Sequence, residues 1–212
     1  MKKTTIILGL FFLFCINATA QIKEDVSEIS FSVHDMDDGL HASKIGFCIA
    51  DLDEDGVCDS LTYNLETTSL VLLLSTRNFE PFIVIYENIG DRTTITASKG
   101  WFGITASHMR SVTDESFIYD SNKKQFRLAF ISHENYGNAL NDGSGRCFLD
   151  LLESRFEGYM SFYDPDKEEL ISTPTITMHV NNDPVYLDDE EWVIHMPEED
   201  YFRKYIYNYD KD

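Results

Sequence analysis

The sequence predicts an all-β fold, an antiparallel single domain of propeller-like or sandwich-like form. Three observations carry this. Apolar and polar residues alternate with period two in segment after segment, β-branched and aromatic residues concentrate in those segments, and turn residues separate most neighbours. No long run at helical spacing competes with them. With 43% hydrophobic and 13% aromatic residues, the chain has the material for a packed core and is not a disordered acidic tail. Its 212 residues suit one such core.

The chain opens on Lys2 and Lys3, an apolar run from Ile6 to Ile16, and Ala18-Thr19-Ala20 before Gln21. A charged start, a short apolar stretch and small residues at the cleavage site define a secretory signal peptide over residues 1–20. The expected mature domain is 21–212, periplasmic or secreted. The apolar run is too short to span a bilayer, and nothing downstream approaches 18 consecutive apolar residues, so no membrane span is expected. Cys15 is a poor lipid anchor because Phe14, and not a small residue, precedes it.

Strands are expected at Ile29–Val33, Ile45–Ile49, Leu70–Leu74, Phe82–Tyr86, Thr93–Thr96, Phe117–Tyr119, Phe126–Ile131, Tyr159–Tyr163, Thr175–Val180 and Trp192–His195. Asp120-Ser121-Asn122-Lys123-Lys124, between two aromatic strands, reads as a hairpin turn. Asn135 to Gly145 holds three Gly and three Asn and reads as a long exposed loop. The acidic run Asp188–Glu191 reads as a solvated face. At the end of the chain Tyr201, Phe202, Tyr205, Ile206 and Tyr209 suit either a short amphipathic helix or an edge strand.

Charge narrows the partners. Against 37 acidic side chains stand 17 Lys and Arg, a net charge of −20, and loss of Lys2 and Lys3 with the leader takes the mature chain to −22. Phosphate attraction cannot drive binding, so no nucleic-acid partner is expected.

One segment carries recognisable chemistry. Asp51-Leu52-Asp53-Glu54-Asp55-Gly56-Val57-Cys58-Asp59 sets carboxylates at positions 1, 3, 5 and 9 of a loop with Gly at position 6. Alternate residues of a tight loop converge on one point, Gly56 permits the turn, and the Val57 carbonyl adds a neutral oxygen, which together approach the six to eight oxygens that calcium prefers. The expected metal ligands are therefore Asp51, Asp53, Asp55, Val57 and Asp59, and the expected cofactor is Ca2+. Position 12 is Thr62 where an EF-hand has a bidentate Glu, and the flanks are strand-like, which excludes the helix-loop-helix form. Four converging carboxylates without a cation would repel one another.

No catalytic constellation emerges. His34, His41, His108, His133, His179 and His195 include no pair at the spacing of a helical zinc site. Ser144 has glycines beside it, but a nucleophile elbow needs them two residues away, where Asp142 and Arg146 stand. His133 and Glu134 are adjacent in a strand and point to opposite faces. Carboxylate pairs are too abundant in so acidic a chain to diagnose glycoside hydrolysis. A non-enzymatic protein is the expectation. Of Cys48, Cys58 and Cys147, a Cys48–Cys58 bridge across the acidic loop is sterically plausible in an oxidising compartment, with pairings through Cys147 and three unpaired thiols as the alternatives.

The strand Ile45–Ile49 running into Asp51–Asp59 and out through Leu61 and Tyr63 is similar to the calcium loops of integrin-type propeller blades. Together with Ser116-Phe117-Ile118-Tyr119, the strand Phe126–Ile131, a glycine-rich loop and Ser144 to Gly158, it resembles a family of exported bacterial calcium-binding, propeller-like proteins, some of which inhibit lysozymes as periplasmic immunity proteins. Where that family often has Asn-Leu-Leu-Thr-Gly, this chain has Asp150-Leu151-Leu152-Glu153-Ser154. The resemblance implies a calcium-stabilised binding module whose partner is a basic, lysozyme-type peptidoglycan hydrolase, and the net charge is compatible with steering to such a partner. Ordering of the metal loop is expected to fix neighbouring loops, so that partner binding weakens in chelator. The competing reading is a carbohydrate-binding or carbohydrate-active protein using Trp101, Trp192 or tyrosines as flat platforms.

Overall fold

The computed structural model describes residues 29–34, 45–86 and 92–189. The expected leader, the expected Trp192–His195 strand and the aromatic residues Tyr201 to Tyr209 lie outside them. Among the described residues the protein is all-β and antiparallel, as the alternation predicts. Its only helical element there is a 3-10 turn, Ser75–Arg77.

Among the described residues thirteen strands form two sheets. They are β1 Ile29–His34, β2 Ile45–Ala50, β3 Asp59–Asn64, β4 Ser69–Leu73, β5 Pro81–Ile85, β6 Arg92–Ser98, β7 Trp101–Ser107, β8 Ser111–Asp120, β9 Gln125–Tyr136, β10 Ser144–Asp150, β11 Arg155–Asp164, β12 Glu169–Ser172 and β13 Ile176–His179. The smaller sheet is an up-and-down meander of β2 to β5. The larger runs β1-β6-β7-β8-β9-β10-β11-β12, with β13 also paired to β11. β1 departs from simple succession by pairing with β6 and skipping the small sheet, and β13 by pairing with β11 past β12.

Period-two alternation decides which faces are buried. On the small sheet Cys48, Ala50, Leu61, Tyr63, Leu70 and Leu72 point inward, and on the large sheet Ile95, Ala97, Phe102, Ile104, Phe117, Leu128, Cys147, Leu149 and Phe156 meet them in one core. Phe102 stacks on Phe117 at 4.9 Å between centroids and meets the edge of Phe126 at 5.0 Å, geometries that add to the area buried. A bulge interrupts β8 and β9 between Ser116 and Phe117, leaving Ala129 without a cross-strand partner, and its carbonyl accepts from Leu151 N instead. Away from the hairpin turns, the buried Glu115 of β8 accepts from Tyr86 Oη at 2.7 Å and ties the end of β5 to the large sheet.

β7, β10 and β12 are absent from the expected strands: glycines, serines and a half-exposed Trp101 dilute the apolar signal of β7 and β10, and β12 is only four residues long and largely exposed. The expected long loop from Asn135 to Gly145 is shorter, since β9 runs through Tyr136 and β10 starts at Ser144. The Asp120–Lys124 turn forms as expected, with Asp120 Oδ1 accepting from Asn122 N and Lys123 N. Of the acidic run, Asp188 and Asp189 are exposed, and Asp189 Oδ2 accepts from Tyr186 N.

Candidate metal centre

The Asp51–Asp59 segment is the β2–β3 hairpin loop. Pairing of Ala50 with Asp59 closes it, and Gly56 with φ of +87° makes the reversal that a side chain would strain. Three of the four predicted carboxylates come together: oxygens of Asp51, Asp53 and Asp59 lie within 4.8 Å of one another, a cluster placed to hold a metal ion.

The three differ in environment. Asp59, the first residue of β3, is 1% exposed. Its Oδ2 accepts from Leu52 N at 2.8 Å and Asp53 N at 3.2 Å, and its Oδ1 from Ser75 N at 2.7 Å. These bonds make Asp59 the organiser of the loop. Burial nevertheless pushes its carboxyl up to about 7, and the Asp53 charge adds to the rise, against the lowering effect of the backbone donors. Asp53 is 4% exposed. Its Oδ2 accepts from Thr76 Oγ1 at 2.5 Å and Thr76 N at 3.2 Å, while its Oδ1 is buried with no hydrogen-bond partner. Asp51, half-buried, accepts from Gly56 N at 3.2 Å through Oδ1 and faces Lys99 Nζ at 3.3 Å through Oδ2.

Asp55 lies outside this group of three. Asp55 is exposed, accepts from Val57 N at 2.8 Å and holds Ser75 Oγ at 2.6 Å through its other oxygen. Val57 is at the exposed crest. Sequence reasoning missed the groups that arrive from elsewhere, namely Ser75 and Thr76 from the 3-10 turn and Lys99 and Gly100 from the β6–β7 turn. No local pattern signals them, because tertiary packing alone brings them to the loop. Gly100 N donates to the Asp51 carbonyl at 3.0 Å, and Gly100 has φ of +75°, a left-handed conformation that makes this turn favour glycine. Arg77 Nη2 reaches the Lys124 carbonyl at 3.2 Å. The loop thereby joins the small sheet to the β6–β7 and β8–β9 turns of the large one.

None of Cys48, Cys58 and Cys147 forms a disulfide, so the Cys48–Cys58 bridge is not formed. Cys48 points from β2 into the core, where burial raises it to about 12, while Cys58 sits half-buried in the loop. Among the described residues no other group of three or more His, Cys, Asp or Glu gathers in this way. No helix there is long and apolar enough to cross a membrane. No family model, curated protein or solved structure matches the chain.

Proposed function

We propose that the protein is an exported, calcium-stabilised, non-enzymatic binding module whose target is another protein, with a cationic lysozyme-type hydrolase as the first partner to test. The observation that carries the metal reading is Asp53 Oδ1, a buried carboxylate oxygen without a partner that shares its cluster with Asp51 and Asp59. A buried, unpaired anionic oxygen beside two further carboxylates is costly alone, and a divalent cation removes the cost by supplying the missing charge. An all-oxygen donor set favours calcium or magnesium over zinc, and a loop whose donors come from alternate residues and Gly56 favours the larger, geometrically tolerant calcium. A four-stranded meander with this loop at its first hairpin is compatible with the propeller-like reading, which remains part of the proposal.

Millimolar calcium is expected to raise the melting temperature relative to chelator by about 5 to 10 °C, on the basis of roughly 2.7 kcal/mol at a hundredfold excess over Kd. Asp51→Ala should remove the rise. An identical melting temperature in both conditions defeats the metal reading. Stoichiometric inhibition of a muramidase by the mature protein tests the partner.

One observation favours a second reading. A Cβ on Gly103 would stand 3.2 Å from a ring carbon of Trp101, so the indole lies against the glycine on the β7 surface, among Ser and Thr side chains, as a sugar-stacking platform does. Retardation on peptidoglycan or polysaccharide gels, lost in Trp101→Ala, would favour glycan binding.

A further inference from the structure

The two sheets turn different outer faces to their surroundings. On the large sheet, alternate residues of β6 and β7 point away from the core, and they are Thr94, Thr96, Ser98, Thr105 and Ser107. Most of the matching positions on the small sheet are apolar. One outward row crosses it from Phe47 through Thr62 and Val71 to Ile83, and the next sets Leu73 beside Pro81. Ile83 is 61% exposed and Ile85 62%, and Val71 and Leu73 are half-buried. β5 is also the last strand of its sheet, and among the described residues its outer edge carries no partner strand. A contiguous apolar face beside an open edge marks a surface that something covers.

The last described residues stand beside this face. Leu187 N donates to the Phe126 carbonyl at 2.9 Å and Gln125 Nε2 donates to Asp188 Oδ2, which fixes them at the β8–β9 turn. The Lys124 carbonyl of that turn accepts from Arg77 Nη2 at 3.2 Å, and the Arg77 guanidinium sits 4.6 Å from the centre of the Phe82 ring in β5. Residue 190 therefore sets out from the start of β5. The 23 residues that follow Asp189, at up to about 3.3 Å each when extended, reach every row of a sheet whose strands lie about 4.8 Å apart. They also carry the apolar material. Tyr201, Phe202, Tyr205 and Ile206 recur at helical spacing, whereas residues 21–28 offer Ile22 and Val26 and residues 35–44 offer Met36 and Leu40. A second copy of the chain is a poorer cover, since two molecules of net charge −20 repel one another.

We propose that residues 190–212 lie over the outer face of the small sheet, with the apolar stripe of Tyr201, Phe202, Tyr205 and Ile206 against Val71, Leu73, Ile83 and Ile85. The small sheet then becomes a middle layer, between the core it shares with the large sheet and a second apolar layer supplied by the end of the chain. The inference is independent of the metal and partner readings.

The test places a benzophenone side chain at Ile83 of the mature protein, residues 21–212, and in a second preparation at Thr105 on the outer face of the large sheet. Illumination of the first should give a monomer cross-linked internally to a peptide from residues 190–212, and the second should give no link to that peptide. A covalent dimer would assign the face to a second copy, and a link elsewhere or none would leave the segment off it; each overturns the proposal. A melting series reads the same contact without a probe. Ile83→Asp should lower the melting temperature by about 4 °C or more, as for a covered apolar residue, against a change within about 2 °C for a surface one. Phe202→Ser combined with Tyr205→Ser should lower it as well, and adding Ile83→Asp to that pair should cost less than the separate losses together. Fully additive losses, or an Ile83→Asp variant that melts with the parent, overturn the proposal.

Discussion

The two ends of the large sheet solve opposite problems with the same material. At the metal end, Asp53 and Asp59 are buried and the loop accumulates negative charge that its surroundings only partly offset. At the far end, in the β9–β10 loop of residues 137–143, Asp142 and Asn138 are exposed, the loop's bonds other than Asn138 Nδ2 to Asp142 Oδ2 satisfy backbone donors or acceptors, and apolar groups face outward. Polar atoms inside and apolar atoms outside are both departures from the usual distribution. On the proposed reading the first departure makes stability depend on an ion, and the second costs little stability.

The largest effect that would break this comparison is expected at Asp59. Its carboxylate accepts from three backbone amides, so Asp59→Ala strands three donors in a buried loop and should cost about 4 kcal/mol in denaturant unfolding, at roughly 1 to 3 kcal/mol per unsatisfied group before relaxation. It should also abolish the calcium response. A loss under about 1 kcal/mol would mean that the loop is not a structural junction between the sheets.

The next effect is a pH dependence that appears only in chelator. Asp59 is held up to about 7, first by burial and then by the Asp53 charge, so the folded protein binds a proton that the unfolded chain has released. Its contribution carries no penalty below pH 4, the ordinary carboxyl range, and the penalty grows as pH rises to about 7. The chelated protein should therefore lose stability between pH 4.5 and 7.5, by about 4 kcal/mol at most. Saturating calcium, by favouring the ionised carboxylates, should flatten or reverse that slope. A chelated protein whose stability rises over the same interval would show that Asp59 is not the group that governs it. Asp53→Asn sharpens the point, because it removes the repulsion and should make the chelated protein more stable while weakening its response to calcium.

Much of the fold was legible because burial here follows period two so closely. Gly46 to Ala50 of β2 alternate inward and outward, and Phe126, Leu128 and Ile131 mark the bulge by breaking the alternation at Ala129. The acidic loop was legible because its donors are local. What the sequence could not disclose is that Asp55 turns away to Ser75 Oγ and that Ser75, Thr76 and Lys99 complete the surroundings of the other three, since those contacts span 20 or more residues in the cases of Asp55 and Thr76. The far loop was misjudged for a related reason. Three Gly and three Asn look like slack chain, yet Gly137 is required by a close backbone approach and Asn138 by its two accepted bonds.

A third effect belongs to the far end. A Cβ on Gly145 would stand 2.5 Å from the Tyr159 carbonyl oxygen and 3.0 Å from Met160 Cα, both backbone atoms of the paired strand β11. Gly145→Ala must therefore push β10 and β11 apart and should cost about 1 to 3 kcal/mol. Because no titratable group is involved, the loss should be equal in calcium and chelator. A loss that calcium reverses would show that the two ends are coupled.

The smallest effect is also the most discriminating. Leu140 contributes its side chain to solvent, and the crest is held by Asn138, whose partners at Leu140 and Asp142 are backbone amides. Replacing the side chain by aspartate leaves those bonds in place, so Leu140→Asp should alter unfolding free energy by no more than about 0.5 kcal/mol, in calcium and chelator alike. Met109→Ser should behave the same way. A destabilisation several times larger would mean that these side chains are packed in solution and that the far end, like the metal end, serves stability; near-neutrality would show that their exposure costs the fold little.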